Sequence, residues 1–341
     1  MTRPPIYFCM LASLVLLAVA VTAVGAQSLG PQAFGLSCRF GSAAPTTTRQ
    51  LAMGVATGCL DDEQFANPAF AAVHATPNAG VRWIHTNFDR GPELTNLGFH
   101  AFQPLHAGQD GLQVTYMGLT SSGGAGKTFV PPLGPCTANL SESAYTVDYG
   151  RRFGPKFTAG LSILGTDHVG FSLTPAAGPA LLDVSANAKY GARVGGAYEW
   201  FPGDFVGLTY SFAQHSVWAN SLTPGGVVTT HDNYRDDLLT FGLDRHVTPN
   251  LLLVLEFHHG SISGAGMNTT SNGWHAGAEY LLDKEWAVRA GDADGATTLG
   301  AGWSRGPWRV DYAYIKDWNQ ASVSQLLGSS QTHSLEAAFS W

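Results

Sequence analysis

Charge is scarce in this chain of 341 residues. Asp, Glu, Lys and Arg together make up 13%, against about a quarter in an average soluble domain. Cysteine is scarcer still, at 4 residues, and beyond the first 26 residues no uninterrupted apolar run is long enough for a transmembrane helix. Each shortage excludes something. With 18 Lys and Arg against 25 Asp and Glu, net charge −7 and a pI near 5.9, there is no basic footprint, so nucleic acid is not a partner. Low charge with 11% aromatic residues excludes disorder, which goes with high charge and few aromatics. Without a later apolar run, any membrane crossing has to be made by a closed barrel.

Chemical signatures are also missing. There is no Cys-x-x-Cys, no His-Glu-x-x-His and no Gly-x-Ser-x-Gly, so neither a zinc motif nor a nucleophile elbow is indicated. Gly126-Lys127-Thr128 looks like the end of a phosphate loop, but the glycine that motif needs is Ser121. The expectation is a non-enzyme with no catalytic residue, no metal and no cofactor.

What the chain does have is glycine, 41 residues of it, nearly twice the average share of about 7%. Glycine is costly inside helices, so the composition points to a β protein. The first 26 residues are a separate matter. Arg3 is the only charge before Arg39, residues 6–24 are almost continuously apolar, and Val24-Gly25-Ala26 places small residues before Gln27. This is the pattern of a secretory signal peptide cut after Ala26; a retained anchor is the other reading. In an oxidising compartment a Cys38–Cys59 bridge that leaves Cys136 over stands beside three unpaired cysteines, and spacing does not decide between them.

From residue 78 onward the chain alternates with period two. His333, Leu335, Ala337, Phe339 and Trp341 share one face, while Ser334, Glu336, Ala338 and Ser340 share the other. Trp308, Val310, Tyr312 and Tyr314 oppose Arg309, Asp311 and Ala313. The polar face carries Glu256, Glu279, Arg289, Arg309, Asp311 and Glu336 among small residues. A soluble β-sandwich would bury the apolar face. The signal peptide and the aromatic C-terminal strand favour the opposite arrangement, a transmembrane antiparallel β-barrel in the outer membrane, apolar towards lipid and polar within. The partners that follow are outer-membrane lipid and, for the strand ending in Trp341, the barrel-assembly machinery.

Alternating segments fall at 79–89, 94–105, 110–119, 143–152, 155–165, 180–200, 204–216, 235–245, 250–260, 272–282, 285–292, 296–304, 307–316 and 332–341. That makes about 14 strands, with 12 or 16 as alternatives, since even totals are the rule in bacterial single-chain barrels. Long external loops are expected at 120–142, 166–179, 217–234, 261–271 and 317–331. The six inward charges either select a permeant or pair with one another; charges taken out of water need partners, which favours pairing. Asp167-His168 and Asp236-Asp237 are weighed as a barrel-hydrolase set and set aside as loop charges. His258 and His259 are adjacent on a strand and point to opposite faces, one towards the lumen and one outward.

Residues 27–77 do not alternate and form an N-terminal extension and plug, followed by a barrel at 78–341. Within them, Met53-Gly54-Val55-Ala56, then Asp61-Asp62, then Asn67-Pro68-Ala69-Phe70 occur in order. This series resembles the N-terminal plug signature of the outer-membrane long-chain fatty-acid transporter (FadL-type) superfamily. Gly98–Leu119 and the C-terminal half, including Gly277-Ala278-Glu279-Tyr280 and Asp311-Tyr312-Ala313-Tyr314, look like its smaller PorV/PorQ-like branch. Phe70 stands where the fatty-acid transporters commonly have Gly. The resemblance implies a plugged barrel that passes a hydrophobic ligand with lateral exit into the bilayer. For the PorV-like branch it implies instead a non-transporting barrel that docks an exported protein in type IX secretion. Met53, Phe65, Asn67, Pro68 and Phe70 are the candidates for the plug and the ligand route. Pro68 and Asn67 are expected to end the plug helix and direct the chain into the first strand.

Overall fold

The computed structural model describes residues 47–60, 66–89, 92–122, 128–130, 134–175, 180, 182–223, 226–264, 267–317 and 329–341. The signal-peptide segment, Cys38 and Phe65 lie outside them.

Fourteen strands close a barrel. They are β1 (Asn78–Phe88), β2 (Glu93–Leu105), β3 (Asp110–Ser122), β5 (Gly134–Arg152), β6 (Phe157–Pro175), β7 (Leu182–Phe201), β8 (Asp204–Thr223), β9 (Gly226–Thr248), β10 (Leu251–Gly264), β11 (Met267–Leu281), β12 (Trp286–Ala293), β13 (Ala296–Arg305), β14 (Trp308–Lys316) and β15 (Ser330–Ser340). The short β4 (Thr128–Val130) folds back on β5 outside this ring. Each strand pairs antiparallel with its neighbours in sequence. The ring closes where β1 meets β15, with Asn78 opposite Ser340 and Phe88 opposite Ser330.

Period-two alternation sorts the side chains. In β10, Leu252, Val254, Glu256, His258, Gly260 and Ile262 are buried, while Leu253, Leu255 and His259 are exposed. The outward set includes Val81, Leu97, Leu161, Ile163, Leu208, Leu253 and Leu299. Aromatics collect where these strands turn back on the short-turn side: Phe153, Phe157, Tyr198, Phe201, Trp286, Trp308 and Trp341 are all exposed. An apolar band edged by an aromatic girdle is the surface of a lipid-facing barrel. Gly203 (φ 77) and Gly306 (φ 60) sit in two of these short turns, in the left-handed region that favours glycine.

Every alternating segment read from the sequence lies on one strand of the barrel, the long 180–200 segment included. Of the expected long loops, 217–234 and 261–271 are strand at nearly every described residue and 166–175 is strand, while most of 317–331 lies outside the described residues. Residues 143–165 grow into β5 and β6 of 19 residues each, and β9 reaches 23. Between them the outer extensions of β5 to β9 absorb most of 134–142, 166–175 and 217–234. The β12–β13 side stays low, with β12 only 8 residues long. At about 3.3 Å per residue, β9 therefore runs on the order of 50 Å farther along its axis than β12.

The β6–β7 ladder has a break. Pairing runs from Phe157–Tyr198 to Leu164–Gly191 and resumes at Val169–Ala186, leaving 165–168 and 187–190 unpaired with each other. Flanking register shifts fall at Ser143/Ala144 and at Ala188/Tyr190.

Candidate functional site: the plugged lumen

Thr47 begins the described part of the plug. Its hydroxyl accepts from the Gln50 N–H (2.9 Å), and the Gln50 side chain accepts from the Thr47 N–H (3.0 Å). This capping box starts α1 (Thr48–Ala52). Gly54 and Val55 follow with positive φ and turn the chain across the lumen. Pro68 opens a 3-10 turn (Pro68–Ala72) instead of closing a helix. As first residue of that turn it has no N–H to leave unsatisfied. Asn67 accepts from the Ala69 N–H (3.1 Å) and donates to the Gly58 (2.8 Å) and Gly196 (3.1 Å) carbonyls, tying both halves of the plug to the wall.

The wall meets the plug through glycine. Gly111, Gly150, Gly160, Gly195, Gly207, Gly242, Gly277, Gly291 and Gly300 stand on nine strands, one each, and a Cβ on any of them would collide with plug atoms. At six of them the nearest plug atom is backbone, and at Gly195, Gly242 and Gly300 it belongs to the Asn67, Cys59 and Ala52 side chains. Met53 packs with Ala56, Cys59, Leu60, Leu252 and Val254. Phe70 packs with Phe102 and meets Phe205 edge-on, ring centroids 5.2 Å apart. Burial pushes the Cys59 thiol pKa up, and the Glu256 and Asp244 carboxylates push it further. Cys59 carries a free thiol; the partner weighed for it, Cys38, is outside the described residues.

All six charges read as inward-facing are in the lumen, and five of them form a belt. Arg289 donates to Glu279 and to Asp311, each at 2.6 Å. Arg309 reaches Asp311 at 2.6 Å and Glu336 at 4.0 Å. The plug closes the circuit: Arg49 forks onto Glu279 at 2.7 and 2.9 Å, and the Thr48 N–H donates to Glu336 at 2.6 Å. Glu256 stands apart from this belt and accepts from the Thr57 and Gly58 N–H groups at 2.7 and 2.5 Å. These charges are used in holding the plug.

Beyond the plug, on the long-strand side, the inward face first carries polar residues (Thr115, Thr146, Ser162, Thr209 and Thr240) and then mixes apolar ones with Glu142, His215 and Asp236. Leu94, Leu119, Leu164, Val217, Tyr234 and Ile262 are buried there. The unpaired stretch of β6 and β7 begins five residues beyond Gly160, where the plug touches β6.

The weighed hydrolase pairs do not assemble. Asp167 is the extra residue at the β5–β6 register shift, within strand rather than loop. Asp236 and Asp237 belong to β9, three strands away with β7 and β8 between. Asp237 is engaged by Arg235 at 2.8 Å and by the Tyr210 hydroxyl. His258 faces the lumen and His259 is exposed. One group that pattern search on the sequence missed is the set that could hold a metal ion: His258, His275 and Asp294 converge from three separate segments. Arg49 and the glycine ring were missed too. The only sequence signal for the ring is that glycine recurs on the inward phase of the strands.

No family model matches the sequence, and no curated protein matches it. Among solved structures, the chain is similar to the toluene transporter TodX of Pseudomonas putida, with a TM-score of 0.60 at 12% identity over 87% of this chain and 98% of that one. The Ralstonia pickettii toluene transporter TbuX gives 0.58 at 12% identity, covering 87% and 97%. A Pseudomonas aeruginosa FadL homologue gives 0.56 at 13% identity, covering 86% and 98%. These likenesses establish a shared barrel fold.

Proposed function

We propose that this protein is an outer-membrane channel that admits hydrophobic small molecules through a plugged barrel and releases them sideways into the bilayer. The observation that carries the reading is a set of buried apolar residues in the outer lumen, above a fixed plug and beside an unpaired stretch of wall. A solute entering from outside meets Leu94, Leu119, Leu164, Val217 and Ile262. Burying apolar surface contributes about 25 cal/mol per Å², so a ligand that loses on the order of 200 Å² of contact with water is held by about 5 kcal/mol before its ordering cost. Plug atoms seated against the glycine ring stand in the way of straight passage to the periplasm.

The break at 165–168 and 187–190 offers another way out. It lies roughly 20 Å above the short-turn rim for tilted strands at about 3.3 Å per residue, inside an apolar band about 25 Å tall. The solved structures with this fold include two toluene transporters, which agrees with a hydrophobic permeant. The similar structures named above lend nothing to a secretion-docking role. The test is uptake of a radiolabelled alkylbenzene by cells that have an intact lipopolysaccharide layer and lack their own hydrophobic channels. Expression should raise initial uptake several-fold, and re-pairing the wall by deleting the extra residues Asp167 and Lys189 together should abolish the gain. Uptake equal to that of cells without the protein would overturn the proposal.

A further inference from the structure

His258 on β10 and His275 on β11 are diagonal neighbours: the register sets Glu256 opposite His275 and His258 opposite Gly273. Their rings lie side by side in the lumen, centroids 4.6 Å apart. Asp294 joins them from the β12–β13 turn. Asp294 and Gly295 both have positive φ (54 and 93), as a two-residue Asp-Gly hairpin turn requires. That backbone swings the Asp294 carboxylate over β11. Its Oδ1 accepts from the Trp274 N–H at 2.6 Å, and its own N–H donates to the Trp274 carbonyl at 3.1 Å. Gly273 has to be glycine for this meeting, because a Cβ there would strike both the Asp294 carboxylate and the His258 ring.

The other oxygen, Oδ2, stands 3.4 Å from His258 Nε2 and 3.5 Å from His275 Nε2. Charge-assisted hydrogen bonds run about 2.7–2.9 Å, and these separations are well outside that range. They match the edge of a tetrahedron around an ion with ligands at about 2.0–2.1 Å, which is about 3.4 Å. The three ligand atoms all lie within 4.8 Å of one another. His275 Nδ1 faces Glu256 Oε1 at 3.4 Å, so the ring turns its other nitrogen, Nε2, towards Asp294.

We propose that His258, His275 and Asp294 bind one divalent transition-metal ion of the zinc class, with a fourth position open to the lumen. Two imidazoles and one carboxylate suit zinc, and a three-ligand set with a vacant fourth place is the arrangement of an accessible rather than a purely structural site. The site lies on the low side of the barrel, by the outer turn of its shortest strand, so ions arriving from outside reach it without passing the plug. It is also connected to the plug. Glu256 faces His275 with one oxygen and accepts from the Thr57 and Gly58 N–H groups with the other. Metal occupancy fixes His275, and through Glu256 it steadies that turn of the plug.

The experiment uses the full-length folded barrel in detergent, without a histidine tag, and zinc titrated against a chromophoric chelator. Wild type should bind one zinc with micromolar or tighter affinity. His258→Gln and Asp294→Asn should each weaken binding at least tenfold, while His259→Gln, on the opposite face, should leave it unchanged. Heat-dependent gel mobility identifies variants that retain the barrel. Cobalt on the wild type needs no variant: the intense visible spectrum of the four-coordinate ion is expected. Binding weaker than micromolar, equal binding by His258→Gln and Asp294→Asn, or the weak spectrum of six-coordinate cobalt would overturn the site. Slower hydrogen exchange at the Thr57 and Gly58 amides with zinc is expected from the link through Glu256, and unchanged exchange despite binding would overturn that link.

Discussion

A methyl group at position 207 is the sharpest probe of the plug. Gly207 lies on the inward face of β8, and an added Cβ would overlap the Gly58 carbonyl oxygen, with its carbonyl carbon 2.8 Å away and Cys59 Cα at 3.0 Å. All three are backbone atoms, so relief requires the plug to move. Overpacking of this kind costs about 1–3 kcal/mol. If the strain is released by local opening of the plug, the open population rises about 5- to 150-fold. The assay is hydrogen exchange of the plug amides whose acceptors are known, Gly54, Val55, Thr57 and Gly58. In Gly207→Ala these should exchange faster by that factor, while β8 amides and heat-dependent gel mobility stay at wild-type values. Gly196→Ala is the matched control. It sits on the outward face of β7, with its nearest neighbour, a Phe157 ring carbon, at 3.7 Å. Wild-type protection of the plug in Gly207→Ala, or equal loosening by Gly196→Ala, would refute the claim that backbone contact at the glycine ring holds the plug.

The other predictions concern the same plug. Glu279→Gln removes the carboxylate shared by Arg49 and Arg289. Breaking a buried pair from one side costs about 3–5 kcal/mol, so protease should cut within 47–60 in folded protein, and resistance equal to wild type would show that the belt does not anchor the plug. In a variant whose only cysteine is Cys59, the buried and raised thiol should react with maleimide orders of magnitude more slowly than after unfolding. The reactive thiolate forms only above the raised pKa, so labelling of the folded protein should quicken as pH increases. Rapid labelling at neutral pH would contradict the packing of Cys59 against Gly242.

The barrel was legible because alternation is local. Each lipid-facing strand must answer an apolar residue with a small or polar one, and the fourteen segments that do so are the parts of the strands that face lipid. The outer extensions were misread as loops for the same reason. In β9, Thr229, Thr230, His231, Asp232 and Asn233 are polar on both faces, because above the membrane neither face needs to be apolar, yet the backbone ladder with β8 continues through them. The inward charges could be placed by phase, but their circuit through Arg49 and Thr48 depends on where the plug docks, which no local pattern encodes. The His258–His275–Asp294 group was hidden more deeply. It needs the β10–β11 register and the left-handed Asp294 turn together, and the spacing of these residues in sequence matches no metal motif.

Selective passage of apolar solutes is decided by paired uptake of two labelled solutes of similar size, an alkylbenzene and a sugar, through an intact outer membrane that has this protein as its only added channel. The alkylbenzene should enter faster and the sugar not at all, because the outer lumen and wall break carry apolar solutes while the glycine-seated plug keeps water-borne ones out. Sugar entry at the rate of an open pore, or no gain for the alkylbenzene, would contradict that selectivity.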